Sequence, residues 1–133
     1  MIVGGLGAKR TPRLAAQFAD EHNLSFPPLD RIRPLFTALD RAIEREERER
    51  PVVRSVALVA CVGADEATFA RRAAAIGRDP GRSLHHGAAG TRAQVEDRLG
   101  RLAEGGVERV YLQVLDVRDL DHLDEIASFV SVA

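Results

Sequence analysis

The sequence predicts an α/β protein in which parallel strands alternate with helices. Three short stretches are typical of buried strands: Met1–Gly5, Val52–Val62 and Val107–Leu115. The second is nearly continuous in apolar residues, as expected for a parallel strand covered on both faces. Segments with helical periodicity lie between and after these strands. Such alternation is typical of parallel strands joined by right-handed helical crossovers.

Two helices are predicted between the first and second strands. The first covers Lys9–His22, with Pro12 in its first turn, and the second covers Leu29–Arg48. Residues 23–28 form the predicted loop between them. Spacing of three and four residues places the apolar side chains of each helix on one face. These are Leu14, Ala15, Phe18 and Ala19 in the first helix, and Ile32, Leu35, Phe36, Leu39 and Ile43 in the second.

Three further helices are predicted in the second half of the chain. One covers Ala64–Gly77, and the loop Arg78–Gly90 separates it from a helix that opens at Thr91. Gln94 stands three residues after Thr91, which is a capping-box pattern. The last helix covers Asp119–Val130. The predicted inward faces are Ala67, Ala70, Ala73 and Ala74, then Val95, Leu99 and Leu102, then Leu120, Leu123, Ile126, Ala127 and Val130.

Composition limits the classes of function. The chain has 133 residues, of which 45% are hydrophobic, so residues 1–133 are expected to form a single domain or part of one. The formal net charge of −1 leaves no basic surface for nucleic acid. No apolar stretch approaches the ~20 residues of a membrane span, so a cytoplasmic protein is expected. Cys61 is the only cysteine, which excludes an internal disulfide.

Three strands leave a parallel sheet with two apolar edges. Exposed strand edges promote pairing with other chains, and proteins normally protect them. The sequence therefore predicts one of two arrangements. Either the sheet pairs with a second copy of the chain to give a homodimer, or strands that belong to the fold lie outside this sequence.

A glycine-rich turn is the first candidate site. Gly4, Gly5 and Gly7 lie between the end of a predicted strand and the start of a helix, and Lys9, Arg10 and Thr11 follow. Glycines allow a ligand to approach the backbone, and a helix N-terminus favours an anion. The turn therefore suits a phosphate, but glycines at such turns also occur for steric reasons alone.

Gly90 and Thr91 form a second candidate, at the start of a helix. The simpler interpretation is a helix cap, and a phosphate or hydroxyl ligand is the functional alternative. The remaining reactive side chains give weaker signals. His22 is expected at a helix end, and Cys61 as a buried, inert thiol. His122, with Asp119, Asp121 and Asp124, is interpreted as part of an acidic first helical turn rather than a metal site, and His85 and His86 lie in a predicted loop.

An ordered set of segments resembles luciferase-like monooxygenases, in particular the branch that uses the deazaflavin coenzyme F420. The resemblance covers essentially the whole chain and rests on residues 3–11, 14–16, 19–23, 76–80, 90–91, 95, 106–113 and 119–123. It implies a partial (β/α)8 TIM-type barrel made of about the last three strand–helix units of the family. Met1 would then stand where the family has an internal residue.

The resemblance implies an oxidoreductase that transfers a hydride between coenzyme F420, or alternatively FMN, and a small organic substrate. It places the cofactor's phosphate side at Gly4, Gly5, Gly7, Lys9, Arg10, Thr11, Gly90 and Thr91. It carries no catalytic residue and no metal ligand onto this chain. The family's other half holds most of the groups that contact the cofactor ring. Three alternatives therefore stay open: an incomplete enzyme, an inactive truncated paralogue that persists as a folded dimer, and an FMN-dependent monooxygenase relative.

Overall fold

We describe a computed structural model that covers residues 1–130, with the side chains at positions 83 and 84 left out. The chain forms two compact units. Unit 1 comprises Met1–Ala57 and Leu102–Tyr111, and unit 2 comprises Leu58–Arg101 and the chain from Leu112 onward. The elements in chain order are β1 (Ile2–Gly4), α1 (Arg10–Phe18), β2 (Glu21–Ser25), α2 (Leu29–Arg45), β3 (Val53–Gly63), α3 (Glu66–Ala75), α4 (Pro80–His86), β4 (Ala88–Thr91), α5 (Arg92–Glu104), β5 (Arg109–Val114) and α6 (Leu120–Ala127).

Unit 1 is built on parallel strands. β1 pairs with β2, with Gly4 opposite Asn23, and β2 pairs with the first half of β3, with Asn23 opposite Ser55. α1 and α2 cover one face, and they bury mainly small and aliphatic side chains. The core of unit 1 includes Ala15, Ala16 and Ala19 near α1, Ile32, Leu35, Phe36 and Leu39 on α2, and Leu24 and Val56 on the strands.

Unit 2 contains the second half of β3 and its parallel partner β4, with Gly63 opposite Thr91. Phe69 and Ala73 on α3 pack with Cys61 on β3 and Ala89 on β4. Each of these four side chains is at most 2% exposed. Parallel strands are normally covered on both faces, and this small apolar cluster packs α3 against one face of β3 and β4.

The number of strands differs from the prediction, since β2 and β4 were expected to be loop or helix end. The sequence of β2, Glu-His-Asn-Leu-Ser, has neither the β-branched content nor the apolar run that identifies a strand. It is extended because its backbone pairs with β1 on one side and with β3 on the other. β4 consists of four small residues and is held by β3 in the same way. The predicted loop Arg78–Gly90 also contains α4.

Several predicted helix faces are confirmed only in part, since Ala15, Ala19 and Ile126 are buried as predicted but other members are not. On α1 the side chains of Leu14 and Phe18 are 43% and 62% exposed, while Pro12, Ala15 and Ala16 are buried. Small side chains let this helix lie close to the sheet, so the larger ones turn outward. On α6 the buried residues are His122 and Ile126, and Leu120 is 65% exposed.

The alanine face predicted for the third helix is confirmed only at Ala73. Ala67, Ala70 and Ala74 are exposed on α3, and Phe69 and Arg72 are buried together with Ala73. The stripes predicted for the second and fourth helices are confirmed in their main residues. Ile32, Leu35, Phe36 and Leu39 are buried on α2, and Val95 and Leu102 are buried on α5. Over residues 1–130, none of the helices combines the length and the apolar character that crossing a bilayer requires.

Candidate functional site

The glycine turn connects the end of β1 to the start of α1. Gly5 has a φ of +138°, which a residue with a Cβ adopts only with strain, and its N–H donates to the carbonyl of Asn23 at 3.1 Å. The side chain of Thr11 folds back over the turn. Its Oγ1 lies 2.9 Å from the position that a Cβ at Gly7 would occupy. The backbone therefore requires glycine at position 5, and Gly7 leaves room for the Thr11 hydroxyl.

The positive end of the α1 helix dipole is not neutralised by a capping side chain or an acidic residue. Lys9 is the N-cap residue, its side chain accepts no hydrogen bond from the helix, and the first turn carries no acidic residue. The first N–H groups of a helix lack intrahelical partners and carry a partial positive charge. Lys9 and Arg10 are exposed beside them and add two full charges. This end of the helix therefore favours an anion.

Three hydrogen-bonded polar residues of β2 and β3, level with Gly4 or just beyond it, were missed by sequence analysis. Asn23 donates from Nδ2 to Ser55 Oγ at 2.9 Å, and Ser25 Oγ donates to Asn23 Oδ1 at 3.3 Å. Ser25 Oγ also lies 3.6 Å from the Cβ position of Gly4, so this cluster adjoins the glycine turn. Of the three, only Ser25 stands at the carboxyl end of its strand, where ligands of parallel sheets bind. The available signal was Ser55, a hydroxyl in a strand that is nearly continuous in apolar residues after it.

Two titratable groups are buried near the start of β2. His22 is 1% exposed, contacts the edge of the Phe36 ring, and has no hydrogen-bond partner for either ring nitrogen within the described part of the chain. His22 lies in β2, so its expected position at a helix end was wrong, and burial lowers its pKa. Glu21 is 4% exposed and pairs with Arg109 through one carboxylate oxygen.

Gly90 and Thr91 belong to unit 2 and end β4. Gly90 is buried with a φ of +130°, so the backbone there again requires glycine. The N–H of Thr91 donates to Gln94 Oε1 at 2.8 Å. This is the reverse half of the predicted capping box. Because Gln94 already satisfies that N–H, a phosphate would have to displace the glutamine to use it, and the cap interpretation accounts for the geometry.

A buried charge network in unit 2 ties α3 and α6 to β3. The side chain of Arg72 is 7% exposed and donates to Asp119 at 2.8 Å, to Glu125 at 2.5 Å and to the carbonyl of Val62 at 2.7 Å. His122 Nε2 accepts the N–H of Val62 at 2.9 Å. Burial is the main reason that the pKa of His122 is lowered. The lowered pKa favours the neutral ring, in which Nε2 can accept this hydrogen bond.

The acidic residues at the start of α6 include Asp119, which belongs to the same network. Asp119 is the N-cap of α6 and accepts the N–H of His122, as expected for an acidic first turn. The adjoining cavity, lined by Cys61, Arg72 and Asp119 among others, has a volume of about 10 Å³, enough for a single water. Among residues 1–130, no group of three or more His, Cys, Asp or Glu side chains is placed to hold a metal ion.

The thiol of Cys61 is 1% exposed, and burial raises its pKa. A buried thiol with a raised pKa holds its proton and is a poor nucleophile. Its expected inert character therefore agrees with the structure. His85 and His86 end α4 rather than lying in a loop, and both are exposed.

Comparison with known proteins shows the fold. No protein-family model matches the sequence, and no curated protein matches it. The structure is similar to that of coenzyme F420-dependent tetrahydromethanopterin reductase from Methanopyrus kandleri, with a TM-score of 0.72 and 12% sequence identity. The similarity covers 97% of this chain and 49% of the reductase, so the chain spans about half the length of that protein. The predicted fold class, part of a TIM-type barrel with parallel strands and flanking helices, is confirmed, with five strands described in place of three.

Proposed function

We propose that this chain is the phosphate-binding part of an oxidoreductase that transfers a hydride between coenzyme F420 and a small organic substrate. The observation that carries the proposal is the glycine turn, which opens an uncapped helix in a fold shared with an F420-dependent reductase. FMN is the alternative cofactor, because its phosphate would use the same groups.

The residues of unit 1 fit the phosphate side of such a cofactor. Gly5 and Gly7 keep side chains away from the turn, and Arg10 supplies a guanidinium that can form a charge-assisted hydrogen bond. The hydroxyl of Thr11 already lies over the turn. When bound, the cofactor would supply the ring that accepts or donates a hydride. The chain's own residues would bind its phosphate and orient it, and Ser25 would offer a hydroxyl at the end of β2, beside Gly4.

Titration of the purified chain with F420 and, separately, with FMN tests the proposal directly. Each cofactor reports its own binding through its fluorescence. Saturable binding of F420 that is tighter than that of FMN is the expected result. Tighter binding of FMN would favour the monooxygenase alternative. Absence of saturable binding to both would contradict a cofactor role for this chain.

Arg10 provides the matched mutational test. Replacing it with alanine should weaken binding of the cofactor by about 1–3 kcal/mol, the range of a charge-assisted hydrogen bond. The control is Arg31→Ala, which removes an exposed arginine in the first turn of α2. Equal losses in both variants would show a general effect of charge. Unchanged binding in Arg10→Ala would show that the turn is purely structural.

A second candidate function is a catalytically inactive protein that persists as a homodimer. β1 favours it, because within the described residues this strand pairs on one side only and its Ile2 is 56% exposed. Unpaired strand edges with apolar side chains promote pairing between copies. Sedimentation analysis of the chain, with and without F420, separates the two candidates. A dimer that binds no cofactor is the result this candidate requires.

A further inference from the structure

An open cleft lies between α1 and α2 within unit 1, with a volume of about 620 Å³. Its floor is made of small side chains, among them Ala8, Pro12 and Ala42. Small residues at these positions leave the space between the two helices unfilled. The volume lies within the range of about 300–1,000 Å³ that is typical of small-molecule sites.

Four cations line this cleft against a single carboxylate. Lys9 and Arg13 stand on the side of α1, Arg41 and Arg45 stand on α2, and the carboxylate is Glu46. Glu46 is itself engaged, because it lies 4.0 Å from Arg13 and accepts a hydrogen bond from Gln17 at 3.0 Å. The cleft is therefore strongly positive in a chain whose formal net charge is −1.

The spacing of these cations is unfavourable in the absence of a ligand. Arg41 and Arg45 are four residues apart on α2, and like charges at that spacing destabilise a helix. Lys9 places a further positive charge at the N-terminus of α1, where the helix dipole disfavours it. Over residues 1–130, none of Lys9, Arg41 and Arg45 has a carboxylate within 4.0 Å. The uncapped start of α1, whose N-cap is Lys9, adds further positive potential at one end of the cleft.

We propose that the cleft between α1 and α2 binds a small soluble anion that carries two or more phosphate groups. Arginine guanidinium groups bind phosphate oxygens through paired hydrogen bonds, and three of the four cations are arginines. Cations on two facing helices suit a ligand with several phosphates better than a single orthophosphate. This site shares Lys9 and the start of α1 with the phosphate site proposed above, whereas Arg13, Arg41 and Arg45 belong to the cleft alone, so variants at Arg41 and Arg45 test the cleft separately.

Isothermal titration of the intact chain with sodium tripolyphosphate is the direct test. Orthophosphate is the comparison ligand with a single phosphate group, and citrate is the comparison ligand that carries carboxylates in place of phosphates. Saturable binding of one tripolyphosphate per chain is expected, at least tenfold tighter than binding of orthophosphate or citrate. The affinity should fall as the salt concentration rises, because salt screens the attraction between the cations of the cleft and the phosphate groups. Equal affinity for all three anions, or no saturable binding, would overturn the proposal.

Two variants assign the binding to the cleft. The double variant Arg41→Gln/Arg45→Gln should weaken tripolyphosphate binding at least tenfold. The matched control is Arg31→Gln/Arg33→Gln, which removes two exposed arginines of the same helix that do not line the cleft. Arg41→Lys keeps the charge and removes the planar fork, so it should weaken binding less than the double variant. Equal losses in the double variant and its control would refute the assignment.

Discussion

Gly63 lies where β3 ends and the chain turns toward α3, and its replacement by alanine tests how the second unit is packed. A Cβ at this position would lie 2.3 Å from the nitrogen of Phe69, 2.7 Å from its Cα and 2.8 Å from the carbonyl oxygen of Asp65. All three atoms belong to the backbone of the first turn of α3. The methyl group would therefore stand between the N–H of Phe69 and the carbonyl of Asp65, which bond at 3.0 Å.

The expected loss of stability follows from that geometry. Ordinary contact begins near 3.4 Å, so the first turn of α3 would have to move by about 1 Å. Forcing an extra methyl group into a packed site costs about 1–3 kcal/mol, and losing one hydrogen bond adds about 1 kcal/mol. Movement of α3 would also disturb Phe69, which is 1% exposed. We expect Gly63→Ala to lower the free energy of unfolding by about 2–4 kcal/mol.

Urea unfolding followed by far-ultraviolet circular dichroism measures this loss. The matched control is Gly100→Ala in the interior of α5, where a Cβ would meet no atom within 4 Å. Alanine is favoured over glycine in a helix by about 1 kcal/mol, so this control should gain stability. The two substitutions are chemically identical and should have opposite signs. A Gly63→Ala variant as stable as the wild type would refute the packing described here.

The other predictions concern buried polar groups and the glycine turn. Arg72→Met should lower the free energy of unfolding by about 1.5–3 kcal/mol in a urea titration, because it removes charge-assisted hydrogen bonds to two partly buried carboxylates and leaves the carbonyl of Val62 without this donor. A loss below 1 kcal/mol would mean that these charges are solvated. Because burial lowers the pKa of both His22 and His122 from 6.5, the unfolded chain binds protons more readily, and stability should fall as the pH drops below 6.5. Melting temperatures between pH 7.5 and pH 5, at about 0.5-unit steps, check this direction, and a rise on acidification would contradict it. Cys61 should react with a thiol reagent only after unfolding, so rapid labelling of the native protein would disprove its burial.

The pattern of the sequence identified the elements whose local signals are strong. β3 is a run of apolar residues, and α2 carries an apolar stripe together with charges on its outer face. Such elements are specified by periodicity, since any compact structure must bury the apolar face. The glycine turn was also identified, because the step from strand to glycine to helix is local. Its role in binding remains a prediction.

What the sequence by itself determined was the alternation of strands and helices, and with it the fold class. Only the tertiary structure decided that the polar segment Glu21–Ser25 is a strand, because its extended form depends on backbone pairing with β1 and β3. The same pairing brings Asn23 and Ser55, which are 32 residues apart, into a hydrogen bond. It also decided that α6 buries His122 rather than Leu120, because the ring accepts a backbone N–H on β3. Periodicity indicates which apolar residues share one face of a helix or strand. Strand pairing and buried polar contacts depend instead on residues that are distant in the chain.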